Sequence, residues 1–345
     1  MNILHISIIL PVYNVENYIS DCLDSLLSQD IPEDNYEIIC VNDGSTDKSA
    51  EIISCYAMKN RNIHLIKQEN RGVSNARNNG LNVAKGNYIW FIDPDDFIAP
   101  NCLNFIIEAV DVNNADLFEI SYVSCSEKTK FVDIKPPVLS LSDIRQGRQG
   151  ASASGCIYVI KSKLLQDNCI HWNESLLYGE DYLFAFQVKA ACKNAIFTNN
   201  IIYYYRQRTT SAMNSQSINK YKNHIDSMIK LAEIYKNEYL KNYPLSLKNN
   251  LIDRKSLYIQ AVMVDMLLYP FEKEYINNVL NNLKRKNLYP YKNLYFTLKT
   301  KGKSIKQIFT SYLYFFLNKE WYFRLLLRFK FYRLHNRQVA KKLKN

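Results

Sequence analysis

The sequence predicts an α/β fold: a doubly wound, mostly parallel sheet, followed by a helical and basic C-terminal region. Three observations lead there. Short apolar runs of strand length alternate with runs of helical period over the first hundred residues. Acids gather at the ends of two of those runs, and the carboxyl ends of strands are where an open α/β sheet binds its ligands. Beyond about residue 215 strands give way to amphipathic sequence rich in Tyr and Lys.

The elements follow in order. HISIIL at 5–10 reads as a buried strand. Over 16–28, Ile19, Cys22, Leu23, Leu26 and Leu27 fall on one helical face. YEIICVN at 36–42 is the second strand and runs into Asp43-Gly44-Ser45; Thr46 or Asp47 can cap a helix over 48–58. IHLIK at 63–67 is the third strand. The helix over 72–84 carries Ala76, Gly80 and Ala84 at spacing four, a small face for close packing on a sheet. The fourth strand, 87–92, ends in Asp93-Pro94-Asp95-Asp96. A helix near 100–113 and a strand at 116–123 come next. The stretch 126–155 is polar, with a mobile loop expected at 146–155. A short strand at 156–160, a helix from about 180 to 192 and a strand at 196–206 complete this part.

Charge is divided unevenly. Residues 1–210 hold 18 Lys/Arg and 25 Asp/Glu, net −7, whereas 211–345 hold 26 and 8, net +18, which sum to the +11 of the chain. A basic rear fits nucleic acid, an anionic membrane or a solvated face. The eight cysteines include no C-x-x-C pair and none with a His at zinc-ligand spacing, so they read as free thiols of a reducing cytosol. HISIIL is too short and too uncharged in front for a signal peptide, and no apolar run approaches the roughly 18 residues of a membrane span. The expected location is cytoplasmic, either soluble or peripheral on the inner face of the membrane.

The acid cluster carries the chemistry. Asp93, Asp95 and Asp96 at one strand end repel each other unless a cation sits among them. Either a hard divalent ion, Mg²⁺ or Mn²⁺, bridges them to a substrate phosphate, or they form a polar loop in which an Asp caps the next helix.

The order of motifs resembles glycosyltransferase family 2, with a GT-A fold. The residues that carry the likeness are SIILPVYNVENYISDCLDSLLSQ (7–29), VNDGSTDKS (41–49), ENRGVSNARNNGL (69–81), GNYIWFIDPDDF (86–97), YGEDYLF (178–184) and YYYRQRTTSAM (203–213). The resemblance covers about residues 5–213. It implies a catalytic domain at 1–213, with a nucleotide-binding half at 1–100 and an acceptor half at 101–213, ahead of a helical C-terminal region at 214–345.

The same resemblance implies roles. Asp95 is the metal-side carboxylate of a D-x-D, and Asp93 serves the metal, ribose and diphosphate side; Asp96 is a supporting acid or a helix cap. Pro11, Val12, Tyr13 and Asp43 stack on and hydrogen-bond a uracil, which makes UDP the expected nucleotide; the alternative is that Tyr13 packs and Asp43 shapes its turn. Arg71, beside Gly72, contacts nucleotide or phosphate, while Arg77 does the same or forms a structural ion pair. Asp181 is the base that takes the acceptor proton, with Glu180 orienting the acceptor or the loop; the competing reading is an ordinary acidic helix start. A helix N-terminus lowers an Asp pKa, which would weaken that base. Arg206 and Arg208 form a basic segment that closes on the diphosphate, or merely solvate the surface. Trp172 is a sugar platform for the acceptor, or a core residue.

The implied activity is metal-dependent, inverting transfer of one sugar to a glycan or lipid-linked saccharide, in capsule, exopolysaccharide or O-antigen biosynthesis. Processive members of the family carry Q-x-x-R-W and membrane helices, and neither occurs in this sequence. Two other functions compete. A nucleotidyltransferase would need a Gly-rich phosphate loop near the first strand, and PVYNVEN has none. A non-catalytic sugar-nucleotide or membrane-binding subunit would not need Asp43, Asp93, Asp95 and Asp181 together. Residues 304–345 hold ten Lys/Arg and one acid, Glu320, interleaved with aromatics. That pattern suits an anionic membrane surface or packing of helices; no nucleic-acid motif accompanies it. Nothing in the sequence bears on oligomeric state.

Overall fold

The computed structural model describes residues 4–147, 155–208, 217–239, 245–289, 323–327 and 330. The chain divides into two compact units, 1–175 with 180–215, and 176–179 with 216–345.

The first unit is built on one sheet with strand order β3-β2-β1-β4-β8-β6-β9-β5. Its first half alternates as the hydrophobic pattern demands: β1 (Ile6–Val12), α1 (Ile19–Leu27), β2 (Tyr36–Asp43), α2 (Ser49–Ala57), β3 (Ile63–Gln68), α3 (Val73–Val83) and β4 (Tyr88–Phe91). β1 pairs parallel with β2 and β4, and β2 pairs parallel with β3. β1, β2 and β4 are buried along their whole length, which is why they read as continuous apolar runs and not as alternating ones. The small face of α3 does what its spacing implies. A Cβ at Gly80 would lie 2.4 Å from Ile9 Cγ2, so only glycine lets the helix approach the sheet this closely.

The second half of the unit is mixed. After β5 (Phe97–Ile98), α4 (Leu103–Val112), β6 (Leu117–Ser126), β7 (Arg145–Gln146) and β8 (Tyr158–Lys161), the chain forms α5 (Ser162–Asp167), α6 (Glu180–Ala191) and β9 (Ala195–Gln207). β8 inserts antiparallel between β4 and β6, and β6 pairs parallel with β9. Because β8 runs against β4, its start lies at the edge where β4 ends, with Val159 opposite Trp90. Residues 155–157 are thereby brought to the ligand edge, and Trp90 Nε1 donates to Cys156 O at 2.6 Å.

Several details differ from the sequence pattern. α1 starts at Ile19, not at 16, because 13–16 is tied to the loop after β2: Asn14 N donates to Ser45 Oγ, Val15 N to Ser49 Oγ and Glu16 N to Asp47 Oδ2. β5 and β7 are two-residue strands that exist by pairing with β9. Most of the expected loop at 146–155, and nearly all of the basic tail, lie outside the described residues. All eight cysteines are free, as their spacing suggests.

The second unit contains α7 (Ile218–Tyr239), α8 (Leu245–Leu268) and α9 (Lys273–Arg285). Ile225, Leu231, Ile259, Met263 and Leu280 are inaccessible within it. His224 Nδ1 joins α7 to Asp265 Oδ2 of α8 at 2.7 Å. Among the described residues no helix is long and apolar enough to cross a membrane.

Candidate active site

The carboxyl edge of the parallel strands brings four of the sequence motifs together. Pro11 and Val12 pair with Val41 and Asn42 inside the sheet and are buried, whereas Tyr13 just beyond is 48% exposed. Of the three, only Tyr13 presents an exposed side chain, and the side chains of Pro11 and Val12 are core.

Asp43 is 3% exposed and organises the next loop. Its Oδ1 accepts from Gln68 Nε2 at 2.7 Å and Arg71 N at 2.8 Å, and Oδ2 accepts from Gly72 N at 2.8 Å. Gly72 precedes α3 at φ +89°, a backbone conformation that side chains disfavour. Asp43 thus sets the entry to α3, while the Arg71 side chain remains exposed.

The three acids after β4 have three different settings. Asp93 is bound through Oδ1 to Arg77 Nη2 at 2.8 Å. Asp95 accepts Arg208 Nε on Oδ2 at 2.6 Å. Asp96 is 1% exposed and accepts from Tyr203 Oη at 2.5 Å and from Arg206 N at 2.7 Å. Burial first, and Asp93 next, push Asp95 up to about 6. Burial, then Asp95 and Asp93, hold Asp96 well above the usual carboxylate range. Carboxylates short of positive charge behave in this way. Asp96 is spent on the frame; Asp93 and Asp95 face the edge.

Glu180 and Asp181 begin α6, as the sequence suggests, but their protonation is not what a helix start alone would give. Burial, then Asp181, pushes Glu180 up to about 7. Burial likewise raises Asp181, opposed by Arg77 and assisted by Asp93. Desolvation outweighs the helix dipole. Asp181 is about a third exposed overall, yet its Oδ1 is inaccessible and finds no well-formed hydrogen bond among the described residues.

Arg77 is the centre that sequence reading undervalued. Its side chain is 4% exposed, and Nη1 lies 3.7 Å from Glu180 Oε1 and 3.6 Å from Asp181 Oδ1, while Nη2 holds Asp93. Burial opposes its charge, but Asp93, Asp181 and Glu180 keep it protonated. One guanidinium therefore joins the acids after β4 to the acids of α6. A signal existed: Arg77 shares the sheet-facing side of α3 with Ala76 and Gly80, and a charged residue there needs partners.

Two expected ligand contacts are corrected. Trp172 is 2% exposed, stacked on Phe184 at 4.1 Å and 6°, and lies under the Arg77 guanidinium at 4.1 Å. It is the floor that supports Arg77 and offers no face to a sugar. Arg206 is 2% exposed, bound to Asp21 Oδ2 at 3.0 Å and set over Phe97 and Tyr18. It is a structural cation within β9 and not part of a closing segment. Arg208, two residues on, is 22% exposed and sits at the edge.

Among the described residues no group of three His, Cys, Asp or Glu forms a ready metal cage. Asp93 and Asp95 are two hard oxygen donors, which matches how Mg²⁺ and Mn²⁺ are held beside substrate phosphates by one or two carboxylates.

The comparisons agree with this architecture. The chain resembles residues 1–349 of Staphylococcus aureus TarS, solved in complex with UDP-GlcNAc, at 22% identity and a TM-score of 0.61, covering 82% of this chain and 80% of that one. The fold is therefore GT-A. In sequence the chain is 31% identical over 218 residues to the uncharacterized glycosyltransferase EpsJ of Bacillus subtilis, covering 60% of this chain and 62% of that protein. It is 34% identical over 209 residues to the poly(ribitol-phosphate) beta-glucosyltransferase of Bacillus spizizenii, covering 59% and 32%. The chain thus spans less than two thirds of the length of either relative. Residues 7–158 match the family model of glycosyl transferase family 2, and this part of the chain is similar to the members of that family.

Proposed function

We propose that the chain is an inverting, divalent-metal-dependent glycosyltransferase that moves one sugar from a UDP-sugar to a glycan or lipid-linked saccharide of a surface polysaccharide. The observation that carries this reading is the pair of acid sets on either side of Arg77. Such a reaction needs negative charge managed at the leaving diphosphate and a base at the attacking hydroxyl. Asp93 and Asp95 suit the first task, and Asp181 with Glu180 suits the second. TarS with UDP-GlcNAc and the poly(ribitol-phosphate) glucosyltransferase, both of them relatives, support the donor class and the acceptor setting.

In this reading 1–213 is the catalytic domain, and 214–345 is a helical region whose basic end meets the cytoplasmic face of the membrane. Asp93 and Asp95 would hold Mn²⁺ or Mg²⁺, which when bound supplies Lewis-acid stabilisation of the leaving phosphate. The residues do the rest. Tyr13 covers the base. Asp43 fixes the loop that carries Arg71. Asp96, held by Tyr203 and by the backbone of Arg206, keeps the loop after β4 in place. Asp181 receives the acceptor proton, while Glu180 beside it orients the hydroxyl. Burial raises both acids of the pair, and a carboxylate held above its ordinary range takes a proton more readily. Arg77 keeps the two acid sets at a fixed separation and prevents their mutual repulsion.

The test is a screen of UDP- and GDP-sugars with Mn²⁺, reading release of the nucleoside diphosphate. Release from a UDP-sugar is expected. No release from any sugar nucleotide, with or without saccharide added, would overturn the assignment. In Asp95→Ala, UDP binding should lose its dependence on Mn²⁺, which calorimetry would register as one affinity with and without the ion.

A further inference from the structure

Glu174 is exposed, yet its carboxylate is bound on both oxygens. Oε1 accepts from Asn78 Nδ2 at 2.8 Å, and Oε2 accepts from Asn75 Nδ2 at 2.9 Å. The two asparagines stand three positions apart on α3 and so present one surface. Each amide is fixed at its other end as well. Asn75 Oδ1 accepts from Gln68 Nε2 at 2.9 Å, and the same Nε2 donates to Asp43 Oδ1. Asn78 pairs with the backbone of Trp172: its Oδ1 accepts from Trp172 N and its Nδ2 donates to Trp172 O, both at 2.9 Å. A carboxylate only accepts, so Glu174 obliges both amides to turn their NH2 groups toward it and their oxygens away. The bonds from Asn75 and Asn78 hold Glu174 below the usual carboxylate range, which keeps it charged.

The residue pinned in this way matters to the site. The Trp172 ring stacks on Phe184, lies under the Arg77 guanidinium at 4.1 Å, and abuts Gly155, where a Cβ would lie 2.5 Å from Trp172 Cη2. Phe184 follows Asp181 by three positions on α6, and Asp181 Oδ1 is 3.6 Å from Arg77 Nη1. One ring therefore touches both sides of the gap between Arg77 and the acid pair. We propose that Glu174 is a positioning residue for sugar transfer: through Asn75 and Asn78 it clamps 172–174 to α3, and so holds Trp172 at the height that keeps Arg77 within reach of Asp181 and Glu180. The inference rests on the reading of Asp181 and Glu180 as the acids that serve the acceptor hydroxyl. Without Glu174, water can occupy its place at the surface, so the unit should stay folded. Water both donates and accepts, however, and no longer dictates which way the amides point. An Asn78 amide turned the other way sets its NH2 against Trp172 N, and that anchor is lost.

The experiment compares the full chain with Glu174→Ala and Glu174→Gln. Its first readout needs no substrate. In chain labelled with ¹⁵N-arginine, the Arg77 guanidinium signals are identified by their loss in Arg77→Lys. Their exchange with water should be about tenfold faster in Glu174→Ala than in the parent. The second readout is release of UDP from a UDP-sugar across the neutral pH range, with water as acceptor. Glu174→Ala should lower kcat about 10- to 100-fold, the scale of a small misplacement, and leave UDP affinity unchanged. Its acid limb should move up by about one pH unit, because a withdrawn Arg77 no longer lowers the pKa values of Asp181 and Glu180. Glu174→Gln, which keeps one acceptor oxygen, should fall between the two. Unchanged arginine exchange in folded Glu174→Ala, or a loss of rate with the acid limb unmoved, would overturn the positioning role. If circular dichroism shows Glu174→Ala to be unfolded, the same outcomes are read from Glu174→Gln. Full activity in a chain carrying both Glu180→Gln and Asp181→Asn would remove the acid pair from the chemistry, and the positioning role would fall with it even if arginine exchange responds.

Discussion

Asp181→Asn should lower the rate of sugar transfer by about 10²- to 10⁴-fold, the usual contribution of a general base, and leave UDP binding unchanged. The amide keeps the size and polarity of the side chain but cannot take a proton. Because Arg77 lies 3.6 Å from Asp181 Oδ1 and not in bidentate contact with it, losing one charge leaves the Arg77–Asp93 pair intact on the donor side. Transfer by the parent chain should also rise with pH. Burial raises both acids of α6, so the fraction able to accept a proton grows as pH rises above the ordinary carboxylate range. Asp181→Asn should erase this acid limb along with the rate. Normal transfer by Asp181→Asn, together with its loss in Glu180→Gln, would assign the base to Glu180 instead.

Arg77→Leu should be the most destabilising single substitution in the first unit, by about 3–5 kcal/mol, the range for removing one partner of a buried ionic group. Leucine fills much of the space above Trp172 but leaves Asp93, Glu180 and Asp181 without their shared cation. The loss should depend on pH, with a definite sign. Acids whose folded pKa lies above the unfolded value bind more protons when folded, so stability falls as pH rises from the ordinary carboxylate range through about 7. Denaturant melts of Arg77→Leu should therefore show a smaller deficit in mild acid than above neutrality. A deficit that is independent of pH would mean that Arg77 acts by packing on Trp172 alone. Arg77→Lys should recover charge but not the simultaneous reach to both acid sets, because an ammonium is a point charge and lacks the guanidinium fork.

β1, β2 and β4 were legible in the sequence because each is buried along its whole length, and β3, which is only partly buried, was legible from its short apolar run IHLI. Periodicity also found the close-packing face of α3, and the acids at the ends of β4 and at the start of α6. The antiparallel insertion of β8 left no trace, since a buried strand of four residues reads alike in either direction. β5 and β7 were invisible because a two-residue strand is defined by its partner and not by its own composition.

The misread site residues share one cause. Trp172 stands among polar residues in HWNES, which left a sugar platform and a core residue both open; its backbone is tied to Asn78 and its ring lies between Phe184 and Arg77, the core alternative. Arg206 looks solvated because its counter-charge, Asp21, comes from a helix 185 positions earlier. The lowered pKa expected of Asp181 came from the local rule for helix starts, whereas burial decides the sign. Local sequence reports which groups are present. Partners brought in from distant elements decide which of them remain free for a substrate.

The division of labour proposed for the site is tested most directly by one calorimetric titration of UDP into the full chain, with and without Mn²⁺. The account predicts that Mn²⁺ tightens UDP binding by about tenfold or more, because Asp93 and Asp95 would hold the ion where it can offset the charge of the diphosphate. Equal affinity with and without the ion would contradict it.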